Sequence, residues 1–270
     1  MDEGPDLGAC VEKLLCTAVS SVSRQGGGDL SAVHIIRLGN GEQVIAKQTP
    51  QAEAEAAMLQ AIAEAGAPAP EVLAVEANLL LMSRCEGRSG PGASWDSLAE
   101  VLNRLWSASG TRYGWPDDYG FGFVELPNSW QESWSDFWSE RRLLCHLEQL
   151  PSDLAGRIEG FARSISDHLP AKPSPSLLHG DLWGGNIMAS GGEVTGLIDP
   201  ACYYGHREVD LAMLGLFDHP PRRFVDALEL EPGWEERQPV YRLFPLIVHL
   251  RLFGEGYRTP LEADLRRLGC

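Results

Sequence analysis

The sequence predicts an α+β protein with two lobes: a small β-rich N-lobe with one main helix over residues 1–85, a linker at 86–94, and a larger, mostly helical C-lobe over 95–270. Three observations predict it. Two β-rich runs, Ala32–Leu38 and Gln43–Lys47, flank Gly39-Asn40-Gly41, and Asn-Gly between such runs marks a hairpin. The stretch Glu86–Ser94 is rich in Gly and Pro, as exposed linkers are. Beyond residue 95 the apolar periodicity is mainly helical. A chain of 270 residues fits one or two domains at ~150 residues each.

The elements follow in order. Residues 7–20 place Leu7, Val11, Leu14, Leu15 and Val19 at helical spacing. Gly26-Gly27-Gly28 then interrupts the chain before the hairpin. Residues 51–65 are rich in Ala and Glu, with Ala57, Leu59 and Ile62 as apolar positions, and Gly66 and Pro68 end this helix. Glu71–Val75 and Asn78–Ser83 read as two further strands. Helices are expected over 95–108, 132–149, 153–168, 207–217, 221–229, 234–253 and 260–268. Residues 110–131, rich in Gly, Trp and Tyr, read as a long loop, and loops of that length are often functional. Short strands are expected at Ser176–His179, Ile187–Ala189 and Val194–Ile198.

Composition limits the function. The net charge of −16 argues against a nucleic-acid partner and against an anionic membrane surface. An anionic ligand would need a few local cations or a metal. No apolar run reaches the ~18 residues of a membrane span, and the acidic start Met1-Asp2-Glu3 is unlike a signal or transit peptide. Six scattered cysteines without a CxxC pair read as reduced thiols and suggest a cytoplasmic protein.

The chemistry is concentrated in Leu177-Leu178-His179-Gly180-Asp181-Leu182-Trp183-Gly184-Gly185-Asn186-Ile187. An apolar strand delivers a carboxylate, Asp181, and five residues later an amide, Asn186. A second apolar run, Gly196-Leu197-Ile198, ends in Asp199. Phosphoryl transfer from ATP requires such a set: a carboxylate to accept the hydroxyl proton, and an amide oxygen and a second carboxylate to hold Mg²⁺ against the phosphates. Asp181 and Asn186 could instead be ordinary turn formers, but that reading predicts neither Asp199 nor an upstream lysine. Lys47 ends the run Val44-Ile45-Ala46 and can neutralise phosphates if a carboxylate on the next helix holds it. Glu53 and Glu55 are the candidates. Glu55 is preferred because it lies one turn before Leu59 on the packing side. Gly27 and Gly28, with Ser31, could cradle phosphate through backbone N–H groups, although the G-x-G-x-x-G spacing is absent. Met82-Ser83-Arg84-Cys85, between the last N-lobe strand and the linker, is where backbone groups would meet adenine.

Together these residues resemble the fructosamine kinase (ketosamine-3-kinase) family, within the wider aminoglycoside phosphotransferase and choline kinase group. The wider group shares His-Gly-Asp-x-x-x-x-Asn. The fructosamine kinase branch adds Trp183 and the run from Asp199 through Met213, and Asn128-Ser129-Trp130, Trp134, Phe137 and Arg141-Arg142-Leu143 also look like it. The resemblance implies a protein-kinase-like fold that uses ATP and Mg²⁺ to phosphorylate the sugar 3-hydroxyl of a ketosamine, either a small glycated amine or a glycated protein lysine. It implies Asp181 as base, Asn186 and Asp199 on the metal, Lys47 on phosphate with Glu55 as its anchor, and Trp183 and His206 at the acceptor. Arg207, Glu208 and Asp210 read as a buried ionic network instead. Tyr119 and Leu126 stand where the family usually carries amides, which bears on the acceptor and not on the reaction. The alternatives are a phosphotransferase for another small polar hydroxyl substrate, such as an aminoglycoside, and an inactive nucleotide-binding protein. A protein kinase is disfavoured because no Asp-Phe-Gly occurs and no room for an activation segment follows Asp199.

Overall fold

The computed structural model describes residues 6–25 and 31–270. Its N-terminal part is an antiparallel sheet between two helices. Helix α1 (Leu7–Leu15) is capped by Asp6, whose carboxylate accepts from the Gly8 N–H at 3.0 Å. It leads into β1 (Val19–Gln25), β2 (Ala32–Leu38) and β3 (Gln43–Gln48). Helix α2 (Ala52–Glu64) follows, then β4 (Val72–Glu76) and β5 (Leu79–Ser83), in the sheet order β1-β2-β3-β5-β4. The helix expected over 7–20 therefore ends at Leu15. From Val19 the side chains alternate in pairing with β2, and the helical spacing of Val19 was coincidental.

Strand alternation sorts the side chains of β3. Val44 and Ala46 pack with α1 in one apolar cluster, together with Val11, Ile36 and Leu81. Ile45 and Lys47 face the other way, where Leu80 and Met82 pack on Ala52, Ala56 and Leu59 of α2. Lys47 thus emerges on the α2 side of the sheet by parity alone.

The linker region carries a short strand, β6 (Arg88–Ser89), followed by α3 (Trp95–Ser107). Residues 110–131, read as loop, contain a small hairpin, β7 (Tyr119–Phe121) and β8 (Val124–Leu126). Three-residue strands broken by Gly120 and Gly122 are too short to show a period. The single helix expected over 132–149 is instead α4 (Trp134–Trp138), a wide π turn (Ser139–Leu143) and a 3₁₀ segment (Leu144–Gln149). Here Arg142 is fully buried, with its guanidinium 4.2 Å from the Tyr203 ring centre and 4.6 Å from that of Phe137. It donates to the Pro127 carbonyl and to Asn128 Oδ1, both at 2.7 Å, and so braces the end of the β7–β8 hairpin. Burial pulls its pKa down.

Helix α5 (Ser152–Ala162) precedes β9 (Ser176–Leu178), β10 (Ile187–Ser190), β11 (Glu193–Leu197) and β12 (Tyr203–Gly205). Helices α6 (Glu208–Phe217), α7 (Arg222–Ala227), α8 (Trp234–Phe253) and α9 (Arg258–Arg267) complete the chain. The main apolar core joins these helices to α3, α4 and α5 and takes Met58 and Ile62 from α2, so one helix serves both parts of the molecule. No helix among the described residues is long and apolar enough to cross a membrane.

Candidate functional site

Two short pairings bring the polar residues of the C-terminal part together. Strand β9 pairs with β12, Leu178 opposite Tyr203, and delivers His179-Gly180-Asp181 at its end. Strands β10 and β11 form a tight hairpin through Gly191 (φ 61°) and Gly192 (φ 91°), as a type I′ turn demands. This hairpin closes the sequence gap between Asn186, just before β10, and Asp199, just after β11. The Ile198 N–H donates to the Asn186 carbonyl at 3.0 Å.

The loop is held by buried groups. Asp210, at the start of α6, accepts from the His179 N–H (3.0 Å), the Gly180 N–H (2.9 Å) and Trp106 Nε1 (2.9 Å). His179 donates from Nε2 to the Ile198 carbonyl at 3.0 Å. That leaves Nδ1 to accept from the Asp181 N–H at 3.4 Å. Burial holds this imidazole below its ordinary pKa, so it is a neutral tie between the Asp181 and Asp199 segments. Gly180 has φ 82°, and a Cβ there would lie 2.0 Å from the Ala201 carbonyl oxygen. Asp210 replaces solvent for three otherwise unpaired donors. Asp210→Ala is therefore expected to cost about 2–4 kcal/mol in urea unfolding and to reduce turnover at least tenfold. Unchanged turnover in a folded variant would remove Asp210 from the support of this loop.

Across the cleft, Lys47 Nζ lies 2.7 Å from each Glu55 carboxylate oxygen, with its hydrogen bond to Oε1, and 2.7 Å from Asp199 Oδ1. Burial disfavours the ammonium, but Glu55 and Asp199 outweigh it and raise the pKa of Lys47. Glu55 is fully buried. The alternative Glu53 faces outward, and Lys47 takes Glu55 as expected. Asp199 sits at φ 51°, a left-handed conformation that turns the chain straight after the Ile198 carbonyl bonded to His179. Asn186 Nδ2 donates to the Asp181 carbonyl (2.8 Å) and to its Oδ2 (3.0 Å). Desolvation raises the Asp181 carboxyl from 3.8 to about 7; Asp199 and Asp210 push it the same way, while the Asn186 hydrogen bond and Lys47 oppose the shift.

Lys47, Glu55, Asp181, Asn186 and Asp199 all line one cavity of about 310 Å³, together with Ser31 and Trp183. Trp183 is 41% exposed and stands edge-on to Phe217 at 6.1 Å. Gly185 lies beneath its ring, where a Cβ would be 2.2 Å away. Of the other walls, sequence reading singles out only Tyr119. The β7–β8 hairpin contributes Tyr119 and Phe121, the turn before α2 contributes Gln51, and the end of α8 contributes His249 and Phe253. The α8 residues were hidden in an apolar helix that reads as core.

Some expectations fall elsewhere. Gly27 and Gly28 lie outside the described residues. His206 is corrected: it is 3% exposed and does not line the cavity, because its Nδ1 is spent on the Tyr241 hydroxyl at 2.7 Å in the aromatic core around Trp134. Burial lowers its pKa to about 3. Glu208 pairs with Arg237 through hydrogen bonds of 2.6 and 2.8 Å, so it belongs to a buried ion pair as expected. Arg207 instead donates to the Glu229 carbonyl on the surface. Met82, Ser83, Arg84 and Cys85 do not line this cavity. Met82 is buried against α2, and Ser83 bonds to Glu71 through both N–H and hydroxyl. Arg84 and Cys85 make no backbone hydrogen bond to another described residue, and the Cys85 thiol packs on Gly196. Of the two departures from the family pattern, Leu126 is a buried core residue, and only Tyr119 reaches the cavity.

The donors present suit a hard divalent cation. Asn186 has spent its Nδ2 on Asp181, and its Oδ1 makes no hydrogen bond to a described residue. Asp199 keeps a half-exposed carboxylate facing the cavity. Among the described residues no group of three His, Cys, Asp or Glu side chains could hold a metal alone. Two oxygen donors fit an ion that completes its shell with phosphate and water.

A model of the fructosamine kinase family matches residues 15–268. A probable ketoamine kinase, YniA, of Escherichia coli is 36% identical over 74% of this chain and 73% of its own length. A probable ketoamine kinase of Staphylococcus aureus is 31% identical over 96% of both. Among solved structures, one from Thermobifida fusca that carries the name fructosamine-3-kinase superposes with a TM-score of 0.89 at 28% identity, over 97% of this chain and 98% of that one. An aminoglycoside phosphotransferase, APH(4)-Ia, shares the fold with a TM-score of 0.68 at 15% identity, over 97% and 98%. With its sheet-and-helix N-terminal part, its helical remainder and the polar cavity between them, the chain belongs to the fructosamine kinase family and is an ATP-dependent phosphotransferase of protein-kinase-like fold.

Proposed function

We propose that the protein transfers the γ-phosphoryl group of ATP to a sugar hydroxyl of a ketosamine, the glycated form of an amine, with Asp181 as base. The observation that carries this reading is the convergence of Lys47, Glu55, Asp199, Asn186 and Asp181 on one cavity. In it, residues 1–85 form the nucleotide lobe, 86–94 the linker and 95–270 the acceptor lobe. Lys47, fixed by Glu55, holds a phosphate oxygen. Asn186 Oδ1 and the Asp199 carboxylate would hold Mg²⁺, which supplies charge neutralisation to the phosphates. Asp181 orients the acceptor hydroxyl and takes its proton as the oxygen attacks phosphorus. Its raised pKa suits that task near neutral pH. Trp183 offers an aromatic face to the acceptor at the cavity rim. Arg84 and Cys85 present unpartnered backbone groups for adenine.

Small glycated amines and glycated protein lysines are both proposed acceptors, and a part in protein deglycation follows from the second. Six free thiols fit the reducing cytoplasm. An ADP-release screen of ribulosamines, fructosamines and amino sugars, with the product position fixed by NMR, tests the proposal. Turnover of a ketosamine with phosphate on the sugar hydroxyl is expected. Turnover confined to aminoglycosides or other amino sugars would overturn it.

A further inference from the structure

We propose that Tyr119 is the specificity-determining residue of the acceptor pocket: its hydroxyl donates a hydrogen bond to the bound sugar, and its ring limits the length of polyol tail the pocket admits. The inference rests on the phosphotransferase reading above and goes beyond it in naming what selects the acceptor.

Tyr119 opens β7 and lines the same cavity as Asp181. Glu55, Asp199 and Asp181 line that cavity too, and their charges act on its phenol alongside burial. Burial holds the phenol pKa well above its ordinary value, and the group remains an O–H donor at neutral pH. That hydroxyl makes no hydrogen bond to another described residue, while the Glu55 and Asp181 carboxylates of the same cavity are engaged by Lys47 and Asn186. A donor left open in the cavity is available to a ligand hydroxyl.

The backbone beneath it is fixed from both lobes. Tyr119 pairs with Leu126 across the hairpin, and its ring meets Phe121 edge-on at 6.1 Å. The next residue, Gly120, is gripped by the Gln51 amide, oriented to donate to the Gly120 carbonyl (2.9 Å) and to accept from its N–H (3.0 Å). Gln51 directly precedes the helix that carries Glu55, so its grip on Gly120 ties the strand of Tyr119 to the Lys47–Glu55 side of the cleft. A phenol ring on this fixed strand fills space that an amide side chain would leave open. It thereby shortens the room beside Asp181.

Steady-state kinetics with a pentose-derived and a hexose-derived ketosamine of one amine tests both halves. For Tyr119→Phe, the acceptor KM is expected to rise about tenfold, the worth of one hydrogen bond to a polar ligand, while the ATP KM and Tm stay unchanged. For Tyr119→Asn, the hexose-to-pentose ratio of kcat/KM is expected to rise at least tenfold. An unchanged acceptor KM in the Phe variant overturns the hydrogen bond. An unchanged ratio in the Asn variant overturns the size limit. A rise confined to the ATP KM overturns both by placing Tyr119 at the nucleotide. Should wild type prefer an amino sugar, the reaction proposed above fails, and the Phe variant on that acceptor still reads the Tyr119 hydrogen bond.

Discussion

Asp181→Asn is expected to cut kcat by about 10³, within the range that loss of a positioned base produces, while calorimetric affinity for Mg·ATP stays within a fewfold of wild type. The substitution keeps the shape of the side chain and removes its negative charge, and with it the ability to take a proton. It should also change the pH response in a defined direction. Burial raises the wild-type carboxyl to about 7, so kcat/KM is expected to rise with pH toward that value and then level. A bound cation would shift the limb lower. The variant should lose this limb. Stability has its own sign. A carboxyl raised from 3.8 to about 7 contributes stability that is present below the lower value and lost as pH rises through the higher one. At pH 8 the Asn variant is therefore expected to unfold later in urea, by about 1–2 kcal/mol after discounting for the partly exposed position. A variant with turnover within tenfold of wild type would remove Asp181 as the base.

Lys47→Met should produce the second large effect, on both activity and stability. Glu55 is fully buried and Lys47 is its ion-pair partner. Removing one member of such a pair typically costs about 3–5 kcal/mol, and turnover is expected to fall at least a hundredfold. The two losses are separable. In the double variant Lys47→Met/Glu55→Leu the orphaned charge disappears, so most of the stability should return without the activity. Recovery of turnover along with stability would show that the lysine serves folding alone.

Lys47 and Glu55 were legible in the sequence because two simple periods decide their meeting. A strand alternates every second residue, which sets Lys47 with Ile45 on the α2 side. A helix repeats near every third or fourth, which sets Glu55 with Ala52, Ala56 and Leu59. Asp181, Asn186 and Asp199 were legible because their spacing is closed by one tight hairpin. Other parts obey no local period. Tyr119–Leu126 pairs through strands of three residues each. Arg142 is buried by a widened helical turn and by rings from Phe137, Tyr203 and Phe244, distant in sequence. His206 lies within the family-like run Asp199–Met213 but turns inward to Tyr241, a partner on α8 that no local pattern announces. His249 and Phe253 lie in a helix whose interrupted pattern includes Pro239 and Pro245, and only packing tells which side opens to the cleft.

The contact between Lys47 and Asp199 also bears on how the cleft receives its nucleotide. The single ammonium is already shared by carboxylates 8 and 152 residues away in the chain. An incoming triphosphate cannot simply add to that arrangement. If Asp199 holds Mg²⁺ as proposed, it would release the lysine to the phosphate in exchange, and docking would be a swap of counter-ions. On that reading, bare nucleotide without such an ion would meet uncompensated negative charge, and magnesium would bear on entry as well as on chemistry.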